Sequence, residues 1–394
     1  MKKFLSVFFA AFFAFCFLTN INFNIAKAQT IKKQEEQQLN EFESSALSFV
    51  VIEEGTGKVL FEKNKSKKLP LASITKVQTL NVIFDEIENG SLKLKDEVLV
   101  SGFAAGQEGS QAFLDEGKKY RVDDLIKTVV VCSANDSAVA LAEKVGGTEK
   151  RFVQKMNALA ERMGLSNTHF ENSTGLPLPN HYSSAEDISK MFAKLSKNDL
   201  YNKYAKIWLD ELIHSSGRKT ELLNTNKLIR SLDECVSGKT GYTDEAKHCL
   251  VAKCSKDGMN LIVALLGAKT SKERFDDVKS LFGLGYANFE IKEVIESGEN
   301  FGQIDVKRGK QKQVNVVASE SFCDVVPKGV KIEYEKKINL PNSVRAPISA
   351  GEHLGEVEVF NNASEKVKTI SLVSQFDVEK SRFKDIFSNI NKQW

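Results

Sequence analysis

Histidine and cysteine are scarce in this chain, five and six in 394 residues. The five histidines, His169, His181, His214, His248 and His353, show neither HExxH nor another tight ligand spacing, so neither a metal site nor a cofactor is expected. Of the cysteines, Cys16 lies in an apolar leader, and Cys132, Cys235, Cys249, Cys254 and Cys323 remain. An odd remainder with no CxxC is a poor disulfide framework, which predicts mostly buried thiols and one bridge at most. Excess charge is also missing. The chain has 55 basic and 52 acidic residues, and setting aside Lys2, Lys3 and Lys27 of the leader leaves 52 against 52. That balance gives no reason to expect a nucleic-acid partner.

The one conspicuous apolar run, in MKKFLSVFFAAFFAFCFLTN, is short for a full span of about 20 residues. Two lysines precede it and AKA then AQT follows, which reads as an export signal cleaved after Ala28, with a retained membrane anchor as the alternative. Phe15 stands before Cys16 where lipid attachment needs a small residue. Residues 29–45, QTIKKQEEQQLNEFESS, are polar and read as a flexible linker or frayed helix.

The length suits two domains with appendages. ALSFVVI and KVLFE around EEGTG predict a hairpin. In LPLASITKVQTLNVIFDEIENG, Ile74, Val77, Leu80, Phe84 and Ile87 recur at helical spacing, which predicts a buried helix starting near Ser73. Helical patterns follow from about residue 121, then two strands around Lys256-Asp257-Gly258 and a closing helix. Hairpin first, helices next and strands late predict an α+β domain over 46–290, an antiparallel sheet with helices packed on it. Short alternating segments predict a small all-β domain over 291–373. Residues 374–394 end the chain, with Phe383, Ile386, Phe387, Ile390 and Trp394 on one helical face and Lys380, Arg382, Lys384 and Lys392 available to the other. A basic amphipathic helix of this kind lies in a membrane surface; the alternative is a helix that caps the β domain.

The stretch VSGKTGYTDE, residues 236–245, admits two readings. A phosphate-binding P-loop needs glycine five positions before Gly238, and Asp233 stands there, so that reading fails. The other takes Lys239-Thr240-Gly241 as a strand edge that grips a carboxylate beside a serine nucleophile. Ser73-Ile74-Thr75-Lys76 supplies the nucleophile, with a lysine three positions on and therefore on the same helical face. Burial and a helix N-terminus both disfavour a proton on such a lysine, whose neutral amine can then accept the hydroxyl proton. The same SxxK spacing recurs at Ser216-Lys219 and Ser381-Lys384, but only Ser73 opens a long apolar helix behind a proline. Ser133-Ala134-Asn135 breaks an apolar run ahead of a new helix; Ser196-Lys197-Asn198 matches the same short pattern on a polar helix end and reads as a cap or loop.

In this order the motifs resemble those of the low-molecular-mass penicillin-binding proteins, the serine D-alanyl-D-alanine carboxypeptidases. TGKVLFEKN, LPLASITKV, CSANDSAVALAE, ENSTGLPLPNHYSSAEDIS and KTGYTDEA carry the resemblance over roughly residues 46–290. It implies a β-lactamase/transpeptidase-like catalytic domain that removes the terminal D-alanine from peptidoglycan stem peptides and is acylated by β-lactams. It implies Ser73 as nucleophile, Lys76 as general base and Ser133 as proton shuttle. Asn135, Lys239, Thr240 and Gly241 would bind substrate, with Lys239 and Thr240 on its carboxylate, and the N–H groups of Ser73 and Tyr242 would form the oxyanion hole. It also implies work outside the cytoplasmic membrane, with the terminal helix on the membrane surface. The sequence departs from the family in having Gly238 directly before the lysine, with Ser237 in the place where the family has glycine. His181 and Arg274 are expected in buried structural roles.

Three alternatives remain at this point. A β-lactamase would need a deacylating base, for which HFENSTGLPLPN offers Glu171. A catalytically silent wall-binding module would need distorted geometry around the same residues. An endopeptidase on cross-links would use the same site.

Overall fold

The computed structural model describes residues 42–381. The expected signal, most of the expected linker and residues 382–394 lie outside the described residues. The described chain divides into two compact units that meet between Ala287 and Asn288, three residues before the expected boundary.

The first unit opens with the hairpin β1 (Ser48–Glu53) and β2 (Val59–Lys63). A 3-10 turn, Ala72–Thr75, leads into α1 (Lys76–Glu88). A hairpin of β3 (Glu97–Leu99) and β4 (Lys119–Arg121) precedes α2 (Val122–Val131), α3 (Asn135–Gly146), α4 (Glu149–Arg162), α5 (Ala185–Leu195) and α6 (Asp199–Ala205). A second hairpin joins β5 (Leu209–Ile213) to β6 (Lys219–Leu223), and β7 (Cys235–Thr243), β8 (Lys247–Lys256), β9 (Met259–Ala268) and α7 (Ser271–Asn288) complete the unit. The main sheet has the order β2-β1-β9-β8-β7 and is antiparallel throughout. Helix α5 packs on β1 and β9, which gives the helix-on-sheet α+β layout that the sequence predicts. Strand β7, which carries Lys239-Thr240-Gly241, is an edge strand.

Helix α1 is buried on every side from Lys76 to Phe84. Val77, Leu80 and Ile83 are fully enclosed, each worth about 2 kcal/mol of apolar burial. Its buried polar residues are each satisfied by backbone from another segment. Gln78 donates to the Met156 carbonyl (3.2 Å), Thr79 to Ser173 (2.7 Å) and Asn81 to Met191 (3.0 Å). These bonds fix the helix in rotation as well as position.

Three expectations need correction. The α-helix begins at Lys76, because Ala72 adopts a left-handed φ of 49° and the chain tightens into a 3-10 turn before α bonding starts. Residues 44 and 45 are not a free tether: Ser44 Oγ donates to Asp277 (2.6 Å) and Ser45 Oγ to Glu273 (2.9 Å), pinning them to α7. The chain does not turn helical at 374. Strand pairing runs to Ser374, and Val378 is buried and exchanges both backbone bonds with Ile348, so the backbone stays extended through Ser381.

The second unit is all β, as predicted. Its elements are β10 (Phe289–Ile295), β11 (Asn300–Lys307), β12 (Gln313–Ala318), β13 (Phe322–Pro327), β14 (Glu335–Asn339), β15 (Ser343–Arg345), β16 (His353–Phe360) and β17 (Lys366–Ser374). Six of them form a sheet in the order β14-β16-β17-β12-β11-β15 around Ile304, Val316, Val357 and Leu372, while β10 pairs with β13. Among the described residues no helix is long and apolar enough to cross a membrane. The five described cysteines form no disulfide.

Candidate active site

A cleft of about 620 Å³ lies along the edge of β7 and is lined by Ser73, Ser133, Asn135, Thr240, Gly241 and Tyr242 among others. These residues come from three stretches of chain. Ser73 sits in the 3-10 turn, where residues three apart eclipse, so Lys76 stands directly over it. Ser133 lies in the break between α2 and α3 and holds a left-handed φ of 64°, a strained conformation that turns its hydroxyl off both helices. Asn135 opens α3.

The fully buried Lys76 amine is 3.0 Å from Ser73 Oγ, 2.6 Å from Asn135 Oδ1 and 2.8 Å from the Thr174 carbonyl. Asn135 Nδ2 donates to the Glu108 carbonyl, which fixes its oxygen towards Lys76. Burial pushes the Lys76 pKa well below the usual lysine value, and the charge of Lys239 adds to the shift. A neutral amine has two N–H donors and one lone pair. Asn135 Oδ1 and Thr174 O accept the two donors, and the lone pair is left for the Ser73 hydroxyl. The geometry therefore suits proton transfer from serine to lysine.

Lys239 differs from its expected place. Its side chain is buried rather than on the cleft wall, and its amine donates to Ser133 Oγ (2.7 Å) and the Thr240 carbonyl (2.9 Å). Burial lowers its pKa to about 7. Thr240 does line the cleft, with its hydroxyl donated to Thr225 Oγ1 at 2.7 Å. Gly241 is required by close packing: a methyl there would stand 2.9 Å from the Leu71 carbonyl and 3.1 Å from the Ser73 nitrogen. The Tyr242 ring is exposed and stacks on His248 with centroids 4.4 Å apart. Gly238 is also explained by space, since a Cβ would meet Asn226 Nδ2 at 2.6 Å. The strand register is regular from Ser237 onward, after a bulge at Cys235/Ser237.

Several neighbours could not be read as site residues from sequence. Gly175 (φ 91°) lies so close to the nucleophile turn that a Cβ would be 1.8 Å from the Ala72 carbonyl oxygen. His181 is buried, as expected, with Nε2 2.7 Å from Thr75 Oγ1, while Nδ1 accepts the Glu171 N–H at 3.2 Å. Burial, with His169 and Lys76, lowers its pKa to about 4, so it is neutral and Nε2 carries the hydrogen that Thr75 accepts. Arg274, in the first turn of α7, is also buried and donates to the Gly241 and Cys249 carbonyls (3.2 Å each). It lines the cleft as well, and among the described residues its Nε has no partner. Buried Asp136 accepts the Ala112 and Leu114 N–H groups and holds the segment whose Ser110 carbonyl receives the Asn135 N–H. STG in ENSTGLPLPN is the visible trace of Thr174 and Gly175; Arg274 is expected only in a buried structural role, and nothing local marks Thr225.

The decoys fall elsewhere. Ser216 is in the turn between β5 and β6, and Asn198 caps α6 by accepting the Tyr201 N–H at 3.0 Å. Glu171 does not line the cleft; its carboxylate accepts the Asn180 N–H at 3.0 Å.

Residues 32–270 match the D-alanyl-D-alanine carboxypeptidase family, and residues 289–380 match the penicillin-binding protein 5 C-terminal domain. The chain is 35% identical to D-alanyl-D-alanine carboxypeptidase DacF of Bacillus subtilis, over 92% of this chain and 93% of that protein. It is 31% identical to D-alanyl-D-alanine carboxypeptidase DacC of Escherichia coli, over 86% and 85%. The solved structure of penicillin binding protein 5 from Haemophilus influenzae superposes with a TM-score of 0.73 at 28% identity, covering 86% of this chain and 99% of that one. The chain belongs to the D-alanyl-D-alanine carboxypeptidase family of serine peptidases.

Proposed function

We propose that Ser73 is the nucleophile with which this carboxypeptidase releases the terminal D-alanine of peptidoglycan stem peptides. Ser73 Oγ attacks the carbonyl of the penultimate residue while the neutral Lys76 amine takes the hydroxyl proton. The N–H groups of Ser73 and Tyr242 receive the developing oxyanion, a contribution of about 3–4 kcal/mol where such donors are preorganised. As the C–N bond breaks, the leaving D-alanine nitrogen takes a proton from Ser133 Oγ, which Lys239 holds in place and which receives in turn the proton that Lys76 took from Ser73, so that the Lys76 amine is neutral again. Water then attacks the ester and gives a proton to the neutral Lys76 amine, which returns it to Ser73 Oγ as the ester bond breaks, regenerating both groups. Asn135 binds the acyl side of the peptide. Thr240 and the guanidinium of Arg274 bind the terminal carboxylate, with Lys239 acting through Ser133 rather than by direct contact.

The observation that carries this reading is the buried Lys76 amine nitrogen, 3.0 Å from Ser73 Oγ and bonded to Asn135 Oδ1 and the Thr174 carbonyl, so that in its neutral form both N–H donors are committed and the lone pair is left for the serine. β-Lactams present the same carbonyl and carboxylate and so acylate the same serine. The β-lactamase alternative is weakened by Glu171, which faces Asn180 and not the cleft. We further read residues 1–28 as the export signal, 46–287 as the catalytic domain and 288–381 as the β domain. Residues 382–394 are read as a membrane-surface helix on the outer face of the cytoplasmic membrane.

Intact-mass spectrometry with benzylpenicillin, followed by peptide mapping, tests the assignment together with an assay of D-alanine release. The native protein is expected to gain one long-lived adduct on the Ser73 peptide, and Ser73→Ala to lose both adduct and release. An adduct that survives in Ser73→Ala moves the nucleophile elsewhere. Rapid drug loss without an adduct points to a β-lactamase.

A further inference from the structure

The β unit gathers five cations at the end of its sheet from which the chain departs. Lys307 and Arg345 are register partners in the parallel pair of β11 and β15. The Val306 N–H donates to the Lys312 carbonyl (2.7 Å), closing the turn that carries Arg308. The last described residues return to this turn: Gly309 bridges Lys380, and the Ser381 N–H donates to the Arg308 carbonyl at 2.8 Å. Lys307, Arg308, Lys312, Arg345 and Lys380 are all exposed. Among the described residues none of the five engages a carboxylate. Of the nearby acids, Glu379 pairs with Lys310, while Asp305 accepts from the Gln313 amide and Asp377 from the Ala350 N–H, which leaves the patch with more positive than negative charge.

Cations left unpaired at one end of a sheet repel each other and cost stability unless an anionic surface meets them. Two features say which surface. Phe376 is 57% exposed on the same departing segment. Beyond Ser381 the sequence adds Arg382, Lys384 and Lys392 together with Phe383, Ile386, Phe387, Ile390 and Trp394. A soluble polyanion offers nothing to the aromatic and aliphatic residues, whereas a lipid headgroup layer accepts both.

We propose that this end of the β unit is itself a docking surface for an anionic phospholipid membrane, which Lys307, Arg308, Lys312, Arg345 and Lys380 face directly. The inference rests on the reading that residues 382–394 lie on a membrane, and adds a second, electrostatic attachment to it. Two attachments on one short connection act at high effective concentration and bind more tightly than either alone.

The test is sedimentation of the mature full chain with vesicles of phosphatidylglycerol and phosphatidylcholine, or of phosphatidylcholine alone. Each cation near an anionic leaflet raises the partition constant about fivefold, so neutralising five with Lys/Arg→Gln should weaken binding to the anionic vesicles by up to about 3,000-fold at low salt, and by at least about 20-fold if only two of them reach the leaflet. The remaining binding should depend less on salt, because the lost attraction is the one screened within about 8 Å. Unchanged benzylpenicillin acylation and melting temperature show that the variant is folded. Unchanged vesicle binding by that variant overturns the proposal, as does loss of binding to soluble polyphosphate alone. Deletion of residues 382–394 is read separately: if it leaves vesicle binding unchanged, the tail reading fails, whatever the five-site variant does.

Discussion

Two lysines are buried together at this site, and their charges oppose each other. Lys239 carries its proton below about pH 7 and, with burial, holds the Lys76 pKa down. The proposed mechanism needs Lys76 neutral, so acylation should rise with pH as Lys76 loses its proton. Replacing Lys239 by Gln removes the neighbouring charge, and Lys76 then keeps its proton to higher pH. The acid limb of the benzylpenicillin acylation rate is therefore expected to move to higher pH in Lys239→Gln, in addition to any fall in the plateau. A limb that stays in place, or moves to lower pH, would show that Lys239 does not act on Lys76 through charge. His181, lowered to about 4, contributes no inflection above pH 5; its part is to join the 171–175 loop to Thr75.

Among the elements, the loop carrying Thr174 and Gly175 matters as much as the helices. It delivers the carbonyl that takes one Lys76 donor, and it can do so only because Gly175 admits the Ala72 carbonyl. Gly175→Ala combines a positive φ with a Cβ 1.8 Å from backbone oxygen. It should cost at least about 3 kcal/mol and slow acylation at least about 100-fold. Gly164 has a similar φ of 69° with nothing within 4 Å, so Gly164→Ala isolates the conformational part and should cost only about 1 kcal/mol. Equal denaturation midpoints for the two variants would refute the close-approach argument. The contrast also marks what the sequence could reveal. Ser73, Lys76, Ser133, Asn135 and Thr240 were legible because short motifs sit on elements with strong apolar periodicity, and the late strands and all-β segments because alternation survives burial. The 3-10 turn, the left-handed Ala72 and the burial of Lys239 were not, because each is set by a segment distant in sequence: Gly175, Gly241 and Ser133. The extended 375–381 stretch was misread for the same reason, since only pairing with Ile348 distinguishes it from a polar helix start.

At the scale of the whole chain, two hydrophobic clusters among the described residues share no residue. One gathers side chains from Val50 to Leu266, the other from Ile295 to Val378. Each is closed within its own continuous stretch of described chain, so each has the apolar burial needed to unfold as a cooperative unit. Calorimetry of the full chain should show two transitions. Benzylpenicillin bonded to Ser73 is held by the folded cleft and has no corresponding contacts in the unfolded state, so it should raise one transition and leave the other in place. Leu372→Ala empties a fully enclosed position in the β core and should cost about 2–5 kcal/mol, lowering the transition that the drug leaves unmoved. Acylation at 25 °C should be unaffected by that change. If one transition responds to both the drug and Leu372→Ala, the cores melt together, and the β unit must then be counted as part of what holds Ser73, Lys76 and Gly175 in register.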